Sequence, residues 1–547
     1  ATYIYRYGTF IKDNNLICPR GGIEVAIKYE KEILRVDQLI GEELSQVLIE
    51  GELVIPEDKP EIAKVLDIGA TVYGTGKEVV QDRVMVEGVI AYNLLYIDQG
   101  DNRTVVTIDH DTSFTQYVEM PGAKPRMRAD VSFELEHIDY DLEDGKRLNL
   151  KTVLDIACKV EHLLELEILK AFSHEGQIQA LKEPLRLTSS VGDGSGQTII
   201  REDVEIPDDM PSVVEVLRKD AKVKLLEKKA TDNRIIAHGE IDLKLLYYSE
   251  EPQDPIQVLQ YQIPFNHFVE VEGAYQGMDC EVKVDIQEMD VSLRQDVIGD
   301  IRVLSIDMML FMEGRVFEAK EQETISDAYS PGAALDLTKS KILLTHTIGE
   351  DQVQISIKDN LQISEDMPKA ARILYSEAKP SIADYRIMDG KVVMDGVLMG
   401  VLLYQPENLE MPINSLDFDI PFSHSIEIEG IDDSMDCSCE TWILYLTHTL
   451  LSPEELELKA TIVARGQVTA NVEKEVLLDI EETEQEQGED SGIYIYFVQP
   501  GDDLWSVAKR YNTTINNIVR YNEIENRDTL EVGSKIIIFK RLDAFIA

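Results

Sequence analysis

Read as apolar and polar positions, most of this chain alternates with a period of two. Ile241, Leu243 and Leu245 are interleaved with Glu240, Asp242 and Lys244; Val282, Val284 and Ile286 with Glu281, Lys283 and Asp285; Val131, Phe133 and Leu135 with Ser132, Glu134 and Glu136. Such alternation predicts strands with one wet face. A second pattern, apolar at i, i+3 and i+4, occurs at Ile62, Val65 and Leu66, again at Val213, Val216 and Leu217, and again at Ala370, Ile373 and Leu374. It predicts a short helix at each place, with Pro60, Pro211 and Pro368 suited to the first turn, where no amide donor is missed. The texture changes near the C-terminus. Val498 and its neighbours read as a strand, and Asp503 stands at an N-cap ahead of Leu504, Val507, Ala508 and Tyr511. Thr513 or Thr514 caps a second helix carrying Ile515, Ile518 and Val519, and Val532-Gly533 turns into the strand Ile536-Ile537-Ile538. These elements predict a βααβ module.

The repeated helical pattern belongs to a larger repeat. Ile55 to Pro60 reads IPEDKP, Ile206 to Pro211 reads IPDDMP and Ile363 to Pro368 reads ISEDMP, at offsets of 151 and then 157. The same offsets carry Gly88 onto Gly239 and Gly396, Tyr96 onto Tyr247 and Tyr404, Phe114 onto Phe265 and Phe422, Gly122 onto Gly273 and Gly430, and Met127 onto Met278 and Met435. No gap is needed, so the chain holds three copies of one unit, each long enough to close its own core. The fold class expected is mainly β: three homologous antiparallel sandwich or barrel-like domains, each with a short helix, followed by the βααβ module. The expected limits are 1–160, 161–318 and 319–478 for the repeats, 479–492 for an acidic linker and 493–547 for the last module. The tract Glu481 to Gly492 has nothing to bury, which predicts a tether that lets the last module roam.

Composition narrows the partners. The 547 residues carry 53 Lys plus Arg against 103 Asp plus Glu, a formal net charge of -50. That charge argues against nucleic acid and anionic membrane and favours partners with basic patches. No apolar run approaches the ~20 residues of a membrane span. Five cysteines are too few for a disulfide scaffold and suit a reducing compartment. The start Ala1-Thr2-Tyr3-Ile4 has no basic segment leading into an apolar one, and fits loss of an initiator Met as well as signal cleavage.

The C-terminal module resembles a LysM domain through Val498-Gln499-Pro500-Gly501-Asp502, then Leu504-Trp505-Ser506-Val507-Ala508, Asn522, and Gly533 before the last strand. The resemblance implies a shallow groove for N-acetylglucosamine polymers, formed here by Gly501, Asp502, Asp503 and Leu504 with Asn526, Arg527, Asp528 and Leu530. Asp503 stands where that family usually has Thr, which adds negative charge. The repeated unit, with its acidic-proline motif, Gly before an apolar strand ending Leu-Tyr, and the boxes Ile263-Pro264-Phe265 and Ile420-Pro421-Phe422, resembles the SPOCS domain of spore-forming bacteria. Three such units before LysM resemble the SipL family of clostridial coat-anchoring proteins. That implies a place in the mother-cell cytoplasm at the forespore surface and then in the spore coat, with the basement-layer coat ATPase as LysM partner. The first unit departs from the box, having Thr112-Ser113-Phe114.

Other candidate chemistry reads as structure. His267 and His424 are equivalent, but the first unit has Gln116 there; Cys437 and Cys439 lack a second ligand pair, so they read as buried thiols and no metal or cofactor is expected. Asp139 to Gly145 lacks the Gly and Glu of a calcium loop and reads as a turn. Val191 to Gly196 lacks the Lys of a phosphate loop and reads as a flexible connection. Trp505 reads as packing the first helix on its sheet, and the Ile-Pro-Phe boxes as core or edge packing ahead of docking points. The function expected is a non-enzymatic spore-coat assembly adaptor. The alternatives are a peptidoglycan-binding protein of the cell surface or exterior, and a self-associating filament or lattice protein.

Overall fold

The computed structural model describes residues 10–11, 29–100, 103–172, 178–251, 254–408, 411–483, 492–522, 524 and 530–540. The first unit comprises a short β1 (Phe10–Ile11), then β2 (Tyr29–Val54), β3 (Ile62–Val80), β4 (Arg83–Asp98), β5 (Val105–Glu119), β6 (Arg128–Glu143) and β7 (Arg147–Phe172). The second has β8 (Gln179–Glu205), β9 (Val213–Thr231), β10 (Arg234–Ser249), β11 (Ile256–Glu270), β12 (Asp279–Gln295) and β13 (Ile301–Tyr329). The third has β14 (Ala334–Gln362), β15 (Ala370–Met388), β16 (Lys391–Pro406), β17 (Asn414–Glu427), β18 (Asp436–Ser452) and β19 (Glu455–Thr483). The module that follows is β20 (Gly492–Phe497), α1 (Leu504–Arg510), α2 (Ile515–Asn522) and β21 (Lys535–Lys540).

Each unit is a pair of antiparallel sheets, ordered β3-β4-β5 and β1-β2-β7-β6 in the first, with the same arrangement of three strands each, without a β1 equivalent, in the described residues of the other two. The alternating apolar residues fill the space between them: Ile241, Leu243 and Leu245 join Leu304, Ile306 and Leu310 in the second unit's core. The strands β7, β13 and β19 run through positions 160, 318 and 478 and end at Phe172, Tyr329 and Thr483. Unit limits expected at those positions therefore fall inside strands that pair with β2, β8 and β14. The first three residues of the acidic tract, Glu481, Glu482 and Thr483, belong to β19; residues 484–491 lie outside the described residues.

The helix expected after each acidic-proline motif is a strand. Two bulges in each of β3, β9 and β15, spaced three residues apart, produce the misleading period. In β3 the pairing skips Ala63 and Leu66; in β9 it skips Val214 and Leu217; in β15 it skips Ala371 and Leu374. Each extra residue reverses which side chains face inward, so apolar positions fall at i, i+3 and i+4 on a strand. The motif itself is a turn between the two sheets: Lys59 N donates to Pro56 O, as Met210 does to Pro207 and Met367 to Ser364. Its last proline accepts the phenol of the recurring tyrosine, Tyr96 to Pro60 at 2.8 Å, Tyr247 to Pro211 at 3.1 Å and Tyr404 to Pro368 at 2.8 Å. The recurring Gly and Phe form another pair. Phe114, Phe265 and Phe422 lie across from Gly88, Gly239 and Gly396. A Cβ on Gly239 would come within 2.7 Å of the Phe265 ring.

The glycine-rich stretch read as a flexible connection is also strand, within β8. Its glycines let β8 pass close to the end of β11. A Cβ at Gly194 would sit 1.9 Å from Glu270 O, and one at Gly192 2.2 Å from Glu272 O. Of Asp139 to Gly145, the residues up to Glu143 finish β6, and the hairpin turn is made by Asp144 and Gly145 at φ 53° and 67°.

Candidate functional site

The bulge residues lead to the place where the units meet. Leu66 and Leu217 are buried in one apolar cluster with Leu95, Leu246, Tyr375 and Leu403, which draws on all three units, and Leu374 packs against it. Charge lies beside this cluster. At the repeat offsets, Asp67, Arg218 and Tyr375 occupy one equivalent position, and Gly69, Asp220 and Glu377 the next but one. Arg218 is 6% exposed and ion-paired with Asp67 of the first unit, Asp220 of its own and Glu377 of the third. Its guanidinium lies 5.1 Å from the Tyr375 ring, on whose centroid Lys244 Nζ also sits at 3.7 Å. Gly69 leaves the room: a Cβ there would meet Arg218 Nη2 at 2.9 Å. Burial alone would lower the Arg218 pKa, but Asp220, Asp67 and Glu377 outweigh it and keep the cation. Burial pulls Lys244 down to about 8 against the pull of Asp220 and Glu377. This junction fixes three equal units in unequal roles. A cavity of about 830 Å³ opens beside it between the first two units, lined by Tyr73, Phe133, Asp220, Lys222 and Phe311. The ion pair Lys77–Glu313 joins the two units there at 2.9 Å.

The C-terminal module has the βααβ order expected. Asp503 caps α1, accepting from Ser506 N at 2.6 Å, and the Ser506 hydroxyl completes the reciprocal box. Thr514 rather than Thr513 caps α2, accepting from Asn517 N at 3.1 Å. Of the expected groove, Leu504 is buried in the module's core, with Leu530 packed against it. Gly501 is an exposed turn residue at φ +87°. Asp502 accepts from Gln499 N at 2.8 Å and from the Tyr496 phenol, and faces Arg510. The carboxylates at 502 and 503 are thus committed to the fold. Asn526, Arg527 and Asp528 lie outside the described residues.

The module does not roam as the linker suggested; it is docked on the end of β13. Trp505 packs against the module's own core, as expected, and also meets Tyr329 edge-on with ring centroids 4.9 Å apart, while its Nε1 donates to Asp327 at 2.9 Å. Lys509 Nζ donates to both Asp327 oxygens at 2.8 and 2.6 Å, and the Tyr329 phenol donates to Thr513 O at 2.8 Å. Lys339 of the third unit closes on the same carboxylate at 3.1 Å. Burial would raise the Asp327 pKa, but Lys509, Trp505 and Lys339 hold it below the ordinary carboxylate value. A bulge that skips Ser326 in β13 brings about this presentation. No periodic signal in the sequence marks Asp327 or Tyr329. Arg218 was visible in principle, since superposing the three copies places Asp, Arg and Tyr at one position.

The Ile-Pro-Phe boxes belong to the cores. Ile263 and Phe265 are 1% and 3% exposed, and Ile420 and Phe422 are 6% and 9%. Pro264 and Pro421 are exposed on β11 and β17, edge strands where a missing amide donor breaks no ladder. His267 Nδ1 is 3.2 Å from Thr198 Oγ1. Cys437 and Cys439 are half-buried thiols, and burial pushes Cys439 up to about 12. Among the described residues no group of three or more His, Cys, Asp or Glu is placed to hold a metal, and no helix is long and apolar enough to cross a membrane.

Comparison with known proteins agrees with this division of the chain. The SipL, SPOCS domain family matches residues 61–143, 212–294 and 369–451, which are the β3–β6 portion of the first unit and its counterparts. The LysM domain family matches residues 496–539. Over the LysM region the chain is 50% identical across 44 residues to the cortical fragment-lytic enzyme of Bacillus subtilis (strain 168). That match covers 8% of this chain and 10% of the enzyme, so the chain spans about a tenth of that relative's length. No solved structure matches. SPOCS and LysM domains are binding modules rather than catalytic ones. The chain is accordingly a protein of SipL-type architecture, three SPOCS domains followed by a C-terminal LysM domain.

Proposed function

We propose that this protein is a non-catalytic spore-coat assembly adaptor that links coat layers to the forespore surface, its three-unit body holding a LysM module in a set position. The observation that carries the reading is the docking geometry: Trp505, Lys509 and Thr513 fasten the module to β13, while Gln499, Pro500, Gly501 and Asp503 remain exposed. A rigid body with one open recognition loop suits a connector. The net charge of -50 favours a protein partner with a basic patch, and the family resemblance makes the basement-layer coat ATPase the first candidate. A second reading, LysM as a peptidoglycan anchor, is favoured by its likeness to the LysM region of a cortical fragment-lytic enzyme. The experiment sets the purified full chain against purified coat ATPase and, separately, against isolated spore peptidoglycan. Tight binding to the ATPase, weakened by salt and by changes to the 499–503 loop, is expected, with weak retention on the glycan. The reverse pattern overturns the adaptor reading in favour of the anchor.

A further inference from the structure

The second unit carries features at its two ends that the other units lack together. At one end, the hairpin between β12 and β13 is enlarged to Asp296-Val297-Ile298-Gly299-Asp300. The equivalent turns are Asp144-Gly145-Lys146 and Pro453-Glu454, with no exposed apolar pair. Val297 and Ile298 are 103% and 83% exposed. The loop is nevertheless ordered, because Asp296 Oδ1 accepts from the backbone amides of Ile298, Gly299 and Asp300 at 2.8, 2.9 and 3.0 Å. Two branched apolar side chains are thereby held out in water between two carboxylates. A preorganised knob of this kind loses little freedom on binding.

At the other end of β12, a surface pocket of about 340 Å³ has Ala230, Met278 and Cys280 as its apolar floor and Lys228, Lys229 and Asp279 at its mouth. Both lysines are exposed, and neither has a carboxylate partner among the described residues. Two consecutive unpaired lysines, leaving the edge strand β9 on its two faces, are conspicuous where acids outnumber bases 103 to 53. The equivalent positions are Lys77 and Glu78 in the first unit and Tyr385 and Arg386 in the third, and Lys77 and Arg386 are both ion-paired. Exposed Phe268 and Tyr275 extend the apolar surface nearby.

We propose that the acidic-flanked Val297-Ile298 knob of one molecule seats in the lysine-rimmed pocket of a second copy, joining molecules head to tail. The carboxylates of Asp296 and Asp300 meet Lys228 and Lys229, and the two apolar side chains cover Ala230, Met278 and Cys280. A second copy is the occupant because both halves of the contact, opposite in charge, sit on one repeat. They are separated by the 17 residues of β12, roughly 55 Å at ~3.3 Å per residue. Two different patches at opposite ends make a heterologous contact that does not close on itself, so the product is a linear chain of molecules. This inference is independent of what the LysM loop binds.

The test is sedimentation velocity of the full chain over a rising concentration series at low and high salt. The wild-type protein is expected to grow in mass with concentration, less so in high salt. The variants Val297→Asp/Ile298→Asp and Lys228→Glu/Lys229→Glu are each expected to stay monomeric, with unfolding midpoints like the wild type since all four side chains are exposed. Mixed in equal parts, the two variants retain one pocket and one knob between them and should form a dimer and nothing larger. Should the lysine variant fold poorly, Lys228→Gln/Lys229→Gln replaces it. A wild-type protein that stays monomeric throughout, growth that survives in either variant, or a mixture that gives no dimer overturns the proposal.

Discussion

Replacing Arg218 with Met removes the cation while keeping an unbranched apolar side chain at the junction. Three carboxylates then face one another with their main counter-charge gone: Asp67 and Asp220 with side chains 15% and 23% exposed, and Glu377 at 29%. Truncating one partner of a buried ionic group costs about 3–5 kcal/mol, most of it the uncompensated charge left behind. Lys222, 3.7 Å from Glu377, and Lys244 offset part of that, which places the expected loss near the lower figure, about 3 kcal/mol. Arg218→Lys should fall between, because an ammonium cannot fork to acids on three units. Denaturant unfolding of the full chain, followed by far-ultraviolet circular dichroism, reads the effect. The wild type should unfold with its units coupled, and Arg218→Met should bring an earlier transition as the junction separates. Adding Asp220→Asn and Glu377→Gln to Arg218→Met should recover much of the loss by removing the stranded charge. If Arg218→Met unfolds at the wild-type midpoint, or the neutralised triple variant is no better than the single one, the junction is not held electrostatically and the argument fails.

Two further outcomes are expected. Phe265→Ala should cost about 3–5 kcal/mol of stability, whereas Pro264→Ala next to it should stay within about 0.5 kcal/mol, because the ring lies in the core over Gly239 and the proline on an edge; comparing thermal midpoints of the two checks this. LysM docking should weaken in acid. The folded pKa of Asp327 is held below its ordinary 3.8, so its contribution is present above that value and is lost as pH falls through the lower one. Trp505 fluorescence in a Trp442→Phe background should report the release, and Asp327→Asn should show a released module at every pH.

Strand content, the three copies and the C-terminal module were legible because each leaves a local, repeated mark: alternation in Ile241 to Leu245, the offsets linking Tyr96 to Tyr247 and Tyr404, and the N-cap at Asp503. The false helix was illegible for a definite reason. Skipping Leu66, Leu217 and Leu374 in the ladder turns a period of two into a spacing of three and four, which sequence alone cannot separate from a helical face. The packing reading of the boxes was legible because Phe265 recurs together with Gly239, over which its ring lies. Asp327 and Tyr329 gave no signal, because a contact between a strand end and a helix some 180 residues later depends on tertiary placement alone.

The same bulges explain why three copies of one unit need not behave alike. A bulge turns Leu66 and Leu217 out of their own sandwiches and into the shared cluster, so each unit presents an apolar contact to its neighbours. Identical polar residues beside that cluster would place like charges together, three aspartates or three arginines, and the assembly would repel itself. Asp67, Arg218 and Tyr375 at the equivalent position, with Gly69, Asp220 and Glu377 beside them, instead provide a cation, its carboxylates, a ring to stack on and a space to enter. Arg218 of the second unit reaches Asp67 of the first and Glu377 of the third, so divergence at the junction tells the units apart while the repeated leucines supply the adhesion. Freed from equivalence in this way, the second unit can contribute Asp327 to seat the LysM module, a role its counterparts in the first and third units do not share.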